Sequence, residues 1–175
     1  MSGRLSRSAV QADARAQDVH VRMPLLDRLL DDNPAETRDP PISASQAHND
    51  LVRAVRRDLE ALLNARRPWR SLPDGYESLE QSPMGFGLSD FAAGAFNAES
   101  RRTQLRDELR AAVSRFEKRL TDVAVDLSDA SLIDATLRLR IHAQLNAEPV
   151  VTPIRFDTVV HATTSDIDIR QTRDV

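Results

Sequence analysis

The chain has 175 residues, 41% of them hydrophobic, which is enough for one domain with a real core and short for two. A formal net charge of −3 among 29% charged residues leaves no global basic field to draw in nucleic acid. There is no cysteine, which excludes disulfides, thiolate zinc sites and thiol nucleophiles and fits a reducing compartment.

The first twenty residues contain no apolar run that could serve as the core of a secretory signal. The longest small-and-apolar run, FAAGAF at 91–96, is far below the ~18–20 residues needed to cross a bilayer. A soluble, cytoplasmic protein is the expectation. Residues 1–44 read as a largely flexible arm, because Pro34, Pro40 and Pro41 rule out continuous helix or sheet. Within the arm a short helix is predicted near 24–31. Pro24 suits a first helical position, and Leu25, Leu26, Leu29 and Leu30 share one face. A turn and a half is not stable alone, so these leucines must anchor the arm, either on its own domain or on another protein.

Residues 45–170 read as a single α+β domain, followed by a tail at 171–175. Its first helix is capped by Ser43 or Ser45, carries the stripe Leu51, Val55, Leu59, Leu62 and Leu63, and stops at Pro68. Glu60 stands within reach of Arg56 and Arg57. The segment 69–98 is broken by Pro73, Gly75, Pro83, Gly85, Gly87 and Gly94; a stretch of that length is functional or carries short elements of its own. A second helix is predicted over 98–120 from the spacing of Leu105, Leu109, Val113, Phe116 and Leu120. The period then changes to two. VAVDL at 123–127 is a short strand, and in 134–143 Leu137, Leu139 and Ile141 alternate with Arg138, Arg140 and His142. After a turn at 146–149, Ile154, Phe156, Thr158 and Val160 alternate with Arg155, Asp157, Val159 and His161, and a weaker run follows at 166–170. The expected architecture is two main helices packed on a small, mostly antiparallel, three- to four-stranded sheet, with an extended N-terminal arm.

The common catalytic constellations are missing from the sequence. His20, His48, His142 and His161 show no metal-ligand spacing, and there is no GxSxG, P-loop or GxGxxG. Glu60, Glu77, Glu80 and Glu99 flank the 69–98 segment, so a carboxylate pair of the kind used in glycoside hydrolysis stays open as an alternative. One Trp and one Tyr give a sugar cleft little to stack on. The residues favour surfaces instead. Arg138, Arg140 and Arg155 fall on one sheet face, where they form a basic patch or pair with Asp134 or Asp157. Arg66, Arg67, Pro68 and Trp69 gather at a helix end, where cations meet unsatisfied carbonyls. Only one lysine, Lys118, stands against 23 arginines.

Four stretches carry a resemblance: PLLDRLLDD, VRRDLEALLNARRP, SLPDGYESLEQSPMGFGLSDF and EPVVTPIRF. Together they resemble the type VI secretion baseplate subunit TssE, of the tailed-phage baseplate wedge proteins once labelled lysozyme-like, over roughly residues 24–165. The resemblance implies a non-enzymatic structural component of a cytoplasmic baseplate, without cofactor or metal. It implies docking on the wedge scaffold subunits TssF and TssG, near TssK, and a link to sheath subunits TssB and TssC that helps start sheath polymerisation, with strand addition at a sheet edge as the means. Neither nucleic acid nor membrane insertion is implied. The family's Glu/Pro/Arg docking cluster is matched here to Glu60, Asn64, Arg66, Arg67 and Pro68, with Trp69 beside them; the sheath-facing element is matched to Arg138, Arg140 and Arg155. Two departures stand out. Ala65 replaces a threonine that could cap the helix, and Ser89 replaces a proline, which leaves the loop less rigid. A peptidoglycan hydrolase and a free-standing protein-binding adaptor are the alternatives.

Overall fold

The structure is a computed structural model, and the residues described are 25–29, 42–67, 77–89, 98–131, 136–147, 150–161, 164 and 166–172. Leu30, Pro68 and Trp69, each named above, lie outside them. Helix α1 spans Leu25–Leu29 and α2 spans Ala44–Asn64. Ser43 is the residue that caps α2: its Oγ accepts from the Gln46 amide at 3.2 Å and its carbonyl from Ala47 at 2.9 Å. Ser43 and Gln46 thus stand at the two ends of a capping-box spacing. A short α3, Glu77–Glu80, and a 3-10 turn, Pro83–Gly85, occupy the middle segment. Helix α4 spans Glu99–Phe116, followed by strands β1 (Leu120–Ser131), β2 (Thr136–Ala147), β3 (Val150–His161) and β4 (Ile167–Gln171).

The strands form one sheet in the order β1-β2-β3-β4, with β1–β2 and β3–β4 antiparallel. The α+β expectation holds. The alternation in β2 and β3 is as the sequence implies: Leu137, Leu139, Ile141, Ile154, Phe156, Thr158 and Val160 are buried, and the polar residues between them face out. Several boundaries differ: α2 ends at Asn64, short of Pro68, and β2 runs on to Ala147. Helix α4 ends at Phe116 and not near 120, because Glu117 turns out of the helix with its amide still on Val113 O; Leu120, predicted as helical stripe, is the first residue of β1. Strand β1 has 12 residues where the sequence suggested five. Register shifts between Thr121 and Ala124 and between Leu127 and Asp129 each place an extra residue in β1. Bulges of this kind break the period-two pattern that identifies a strand. Asp122, inside the first, takes φ 52°, a left-handed conformation that Asp tolerates better than most side chains.

Contacts divide the chain into two compact units, Met1–Ala54 with Ala147–Val150, and Val55–Asn146 with Val151–Val175. In the first, Ala47, Leu51, Val52 and Ala54 are buried on α2, while Leu25, Leu26 and Leu29 are exposed on α1. In the second, α4 packs against β1. Its core contains Val55, Leu59, Leu63, Leu109, Ile141 and Phe156, all without solvent exposure. Full burial of each aliphatic side chain contributes about 2 kcal/mol relative to exposure. No helix among the described residues is long and apolar enough to cross a membrane.

Candidate docking corner at the end of the long helix

Helix α2 runs out of amide partners at Asn64, and its last carbonyls are satisfied in three ways. Ala65 N donates to Ala61 O at 3.1 Å, the Arg66 guanidinium donates to Leu63 O at 2.9 Å, and Leu88 N donates to Ala65 O at 3.0 Å. The Arg66 bond places a cation on the negative end of the helix. Arg67 N returns a bond to Leu88 O at 2.8 Å, which makes a short parallel bridge between the helix exit and the fully buried Leu88. Gly87 permits this approach. Its φ is +99°, and a Cβ there would meet Ala65 O at 2.5 Å.

Glu108, on α4, ties the same corner from the other side. Its Oε1 accepts from Arg67 Nη2 at 2.5 Å and from the Ser89 amide at 2.6 Å, and its Oε2 accepts from the Ser89 hydroxyl at 2.7 Å. Arg67 and Glu108 side chains are each largely buried, at 18% and 19% exposed. The expectation that Ser89 loosens this loop is therefore wrong. A proline there would lose both of the bonds that fasten Ser89 to Glu108. The missing threonine hydroxyl at Ala65 also leaves no gap, since Arg66 and Leu88 serve the helix end.

Asn64, read from sequence as a docking residue, is engaged within the chain. Its Nδ2 donates to Ile167 O at 2.9 Å and to Glu60 O at 3.0 Å, and its Oδ1 accepts from Ile167 N at 2.8 Å. The amide behaves as one residue of an added strand and covers part of β4's outer edge. Glu60 is half-buried one turn earlier on α2. Arg67 is likewise held by Glu108, whereas Arg66 keeps part of its surface at the corner.

The sheet's outer face brings the other candidates together. Arg138 is exposed, Arg155 is half-buried, and Arg140 Nε donates to Asp157 Oδ1 at 3.0 Å, one of the two pairings considered above. His142 lies 3.5 Å from Asp126, and His161 lies 3.3 Å from Asp168, so carboxylates stand beside the arginines and histidines of this face. The Thr172 hydroxyl, and then the Arg140 guanidinium, hold the Asp157 carboxyl below its usual range. A shallow hollow on the same face is lined by Asp122, His142, Gln144, Pro153 and Arg155.

One cluster was missed from sequence. Glu117, only 6% exposed, sits at the C-cap of α4, where the helix dipole opposes a negative charge. Arg119 answers it: its Nε donates to Glu117 Oε1 at 2.7 Å, its Nη2 to Glu117 Oε2, and its Nη2 also to Asp58 Oδ2 on α2 at 2.6 Å. Burial works against the guanidinium's charge, but the bonds to Glu117 and Asp58 outweigh it and hold Arg119 above its ordinary range. A glutamate at a helix C-terminus with an arginine two residues on was the available signal, hidden because the leucine spacing appeared to carry the helix past it.

No metal-holding cluster of histidine, aspartate and glutamate occurs among the described residues. Beside Glu108 and Glu117, two glutamates of low exposure among the described residues, stand arginines, an arrangement that holds elements in place. No curated protein matches the chain. Over residues 49–150, which run from early α2 through the candidate docking corner, the Glu117–Arg119 clasp and β2, the sequence matches the baseplate wedge protein gp25 family, and since that span is more than half of the chain, the chain belongs to this family.

Proposed function

We propose that this protein is the TssE-type subunit of a type VI secretion baseplate, a non-enzymatic piece that joins wedge to sheath in the cytoplasm. Membership of the baseplate wedge family carries the reading, because that family is a structural component of phage-like baseplates. The geometry supports it: the charged groups at the corner and the clasp are used to fix surfaces, and the corner around Arg66 presents a rigid face. Rigid surfaces bind with less ordering cost, which is what a scaffold contact needs. In this reading the α2 corner, with Glu60, Arg66, Arg67, Pro68 and Trp69, docks on TssF and TssG near TssK. The outer sheet face, with Arg138, Arg140, Arg155 and the hollow beside them, faces TssB and TssC.

The test is sheath assembly in cells carrying a fluorescent TssB. Loss of the protein should abolish sheath foci. Arg138→Glu with Arg140→Glu should cut their number several-fold while the purified variant still folds, its unfolding midpoint lowered by only a few degrees, since Arg140's pair with Asp157 is half-exposed and such pairs contribute at most about 1 kcal/mol. Normal foci in the deletion strain, or clearing of peptidoglycan by the purified protein, would sink the proposal.

A further inference from the structure

We infer that Asn64 is a guard on the sheet: its amide occupies the β4 edge and keeps that edge from pairing with a second copy of the chain. Nothing in this depends on the baseplate reading. Strand β4 is the outermost of the described strands, and its bonds to β3 fix which of its residues face outward. His161 N donates to Asp166 O at 2.9 Å, and Thr172 N donates to Arg155 O at 3.2 Å. The ladder to β3 therefore runs through the even-numbered residues, Asp168 and Arg170 among them. Ile167, Ile169 and Gln171 turn their N–H and C=O groups away from β3. A five-residue strand is of ordinary length, so an edge left open there is a template for another strand.

That edge is complementary to itself. In an antiparallel pairing of two copies centred on Ile169, each Ile169 meets the other, and Ile167 meets the second copy's Gln171. Asp168 then lies opposite the second copy's Arg170, and Arg170 opposite its Asp168, all of them exposed. A two-fold axis generates the whole seam from one surface. The pairs at Ile167, Ile169 and Gln171 are of the kind that exchange two hydrogen bonds, because these residues face outward on both copies. Asn64 breaks this pattern. It engages Ile167 N at 2.8 Å and Ile167 O at 2.9 Å, and its bond to Glu60 O at 3.0 Å steadies the amide. Each outer pair needs the Ile167 of one copy, so both are lost and the central pair alone remains. One pair does not hold two chains against the freedom they lose on association.

Sedimentation velocity of the full chain from about 1 to 100 µM provides the test, a range in which small, weak interfaces form. The wild type should sediment as one chain throughout. Asn64→Ala should run as one chain at the bottom of the range and double in mass towards the top. Adding Arg170→Asp to Asn64→Ala sets acid against acid and should return it to one chain. Adding Asp168→Arg as well restores the complement and should bring the doubled mass back. Asn64→Ala that keeps the mass of one chain across the range overturns the inference, as does a wild type that doubles. Arg119→Met, which loses its stability at the turn into β1, should stay at one chain's mass. If it doubles too, loosened folding and not an open edge is the cause, and the guard is overturned.

Discussion

Arg119 lies between α4 and β1 with its guanidinium shared by Glu117 and Asp58, so one side chain fastens the turn to α2. Replacing it leaves Glu117 with a buried, uncompensated charge. Arg119→Met should therefore cost about 2–4 kcal/mol, read as a fall of roughly 6–12 °C in the unfolding midpoint. Glu117→Gln with Arg119→Met should recover part of that loss, because the double change removes the orphaned charge. Gly87 is a second single-residue constraint: Gly87→Ala puts a Cβ against Ala65 O in a backbone conformation costing about 1–3 kcal/mol. Circular dichroism melts of the three variants check these expectations. Asp157 gives a pH signature. Its carboxyl is held below the usual range by the Thr172 hydroxyl first and Arg140 next. A depressed folded-state value means its contribution is present above the unfolded-state value of about 3.9 and disappears as pH falls through the folded-state value. The stability gap between wild type and Asp157→Asn should be constant above about pH 5 and should close below about pH 4. A gap unchanged down to pH 2.5 would contradict the assignment.

Among the elements, the β4 edge depends on a side chain from a helix. Asn64 exchanges two hydrogen bonds with Ile167, a residue 103 positions away. Asn64→Ala should speed hydrogen exchange in β4 well before it affects β2, and should lower stability by about 1–2 kcal/mol. The buried stripe of α2, the inward faces of β2 and β3 and the presence of β4 are legible from residue spacing, because burial on one face of a regular element repeats at that element's own period. Strand β1 is less so, since two bulges shift its alternation out of phase. Asn64 was noticed through its match to the family's docking cluster, but its partner could not be, as pairing across that separation leaves no local pattern. Ser89 was misread for a related reason: next to a proline-bearing relative it looks like lost rigidity, whereas Glu108, 19 residues further on, makes it an anchor. Pro68, matched to the family's docking cluster, and Trp69, chosen as an aromatic at the helix exit, lie outside the described residues.

For the whole molecule, the family match covers α2 from residue 49, the corner and the first two strands, and so reaches the parts that hold the surfaces rigid. The bonds at Glu108, Arg119 and Asn64 all tie separate elements of the chain together. The most direct measurement is hydrogen exchange of the full chain, alone and mixed with purified TssF–TssG. The account predicts a stable complex with added protection of amides 65–67 and 84–88 at the docking corner. No complex, or a complex in which those amides exchange as they do in the free protein, would contradict it.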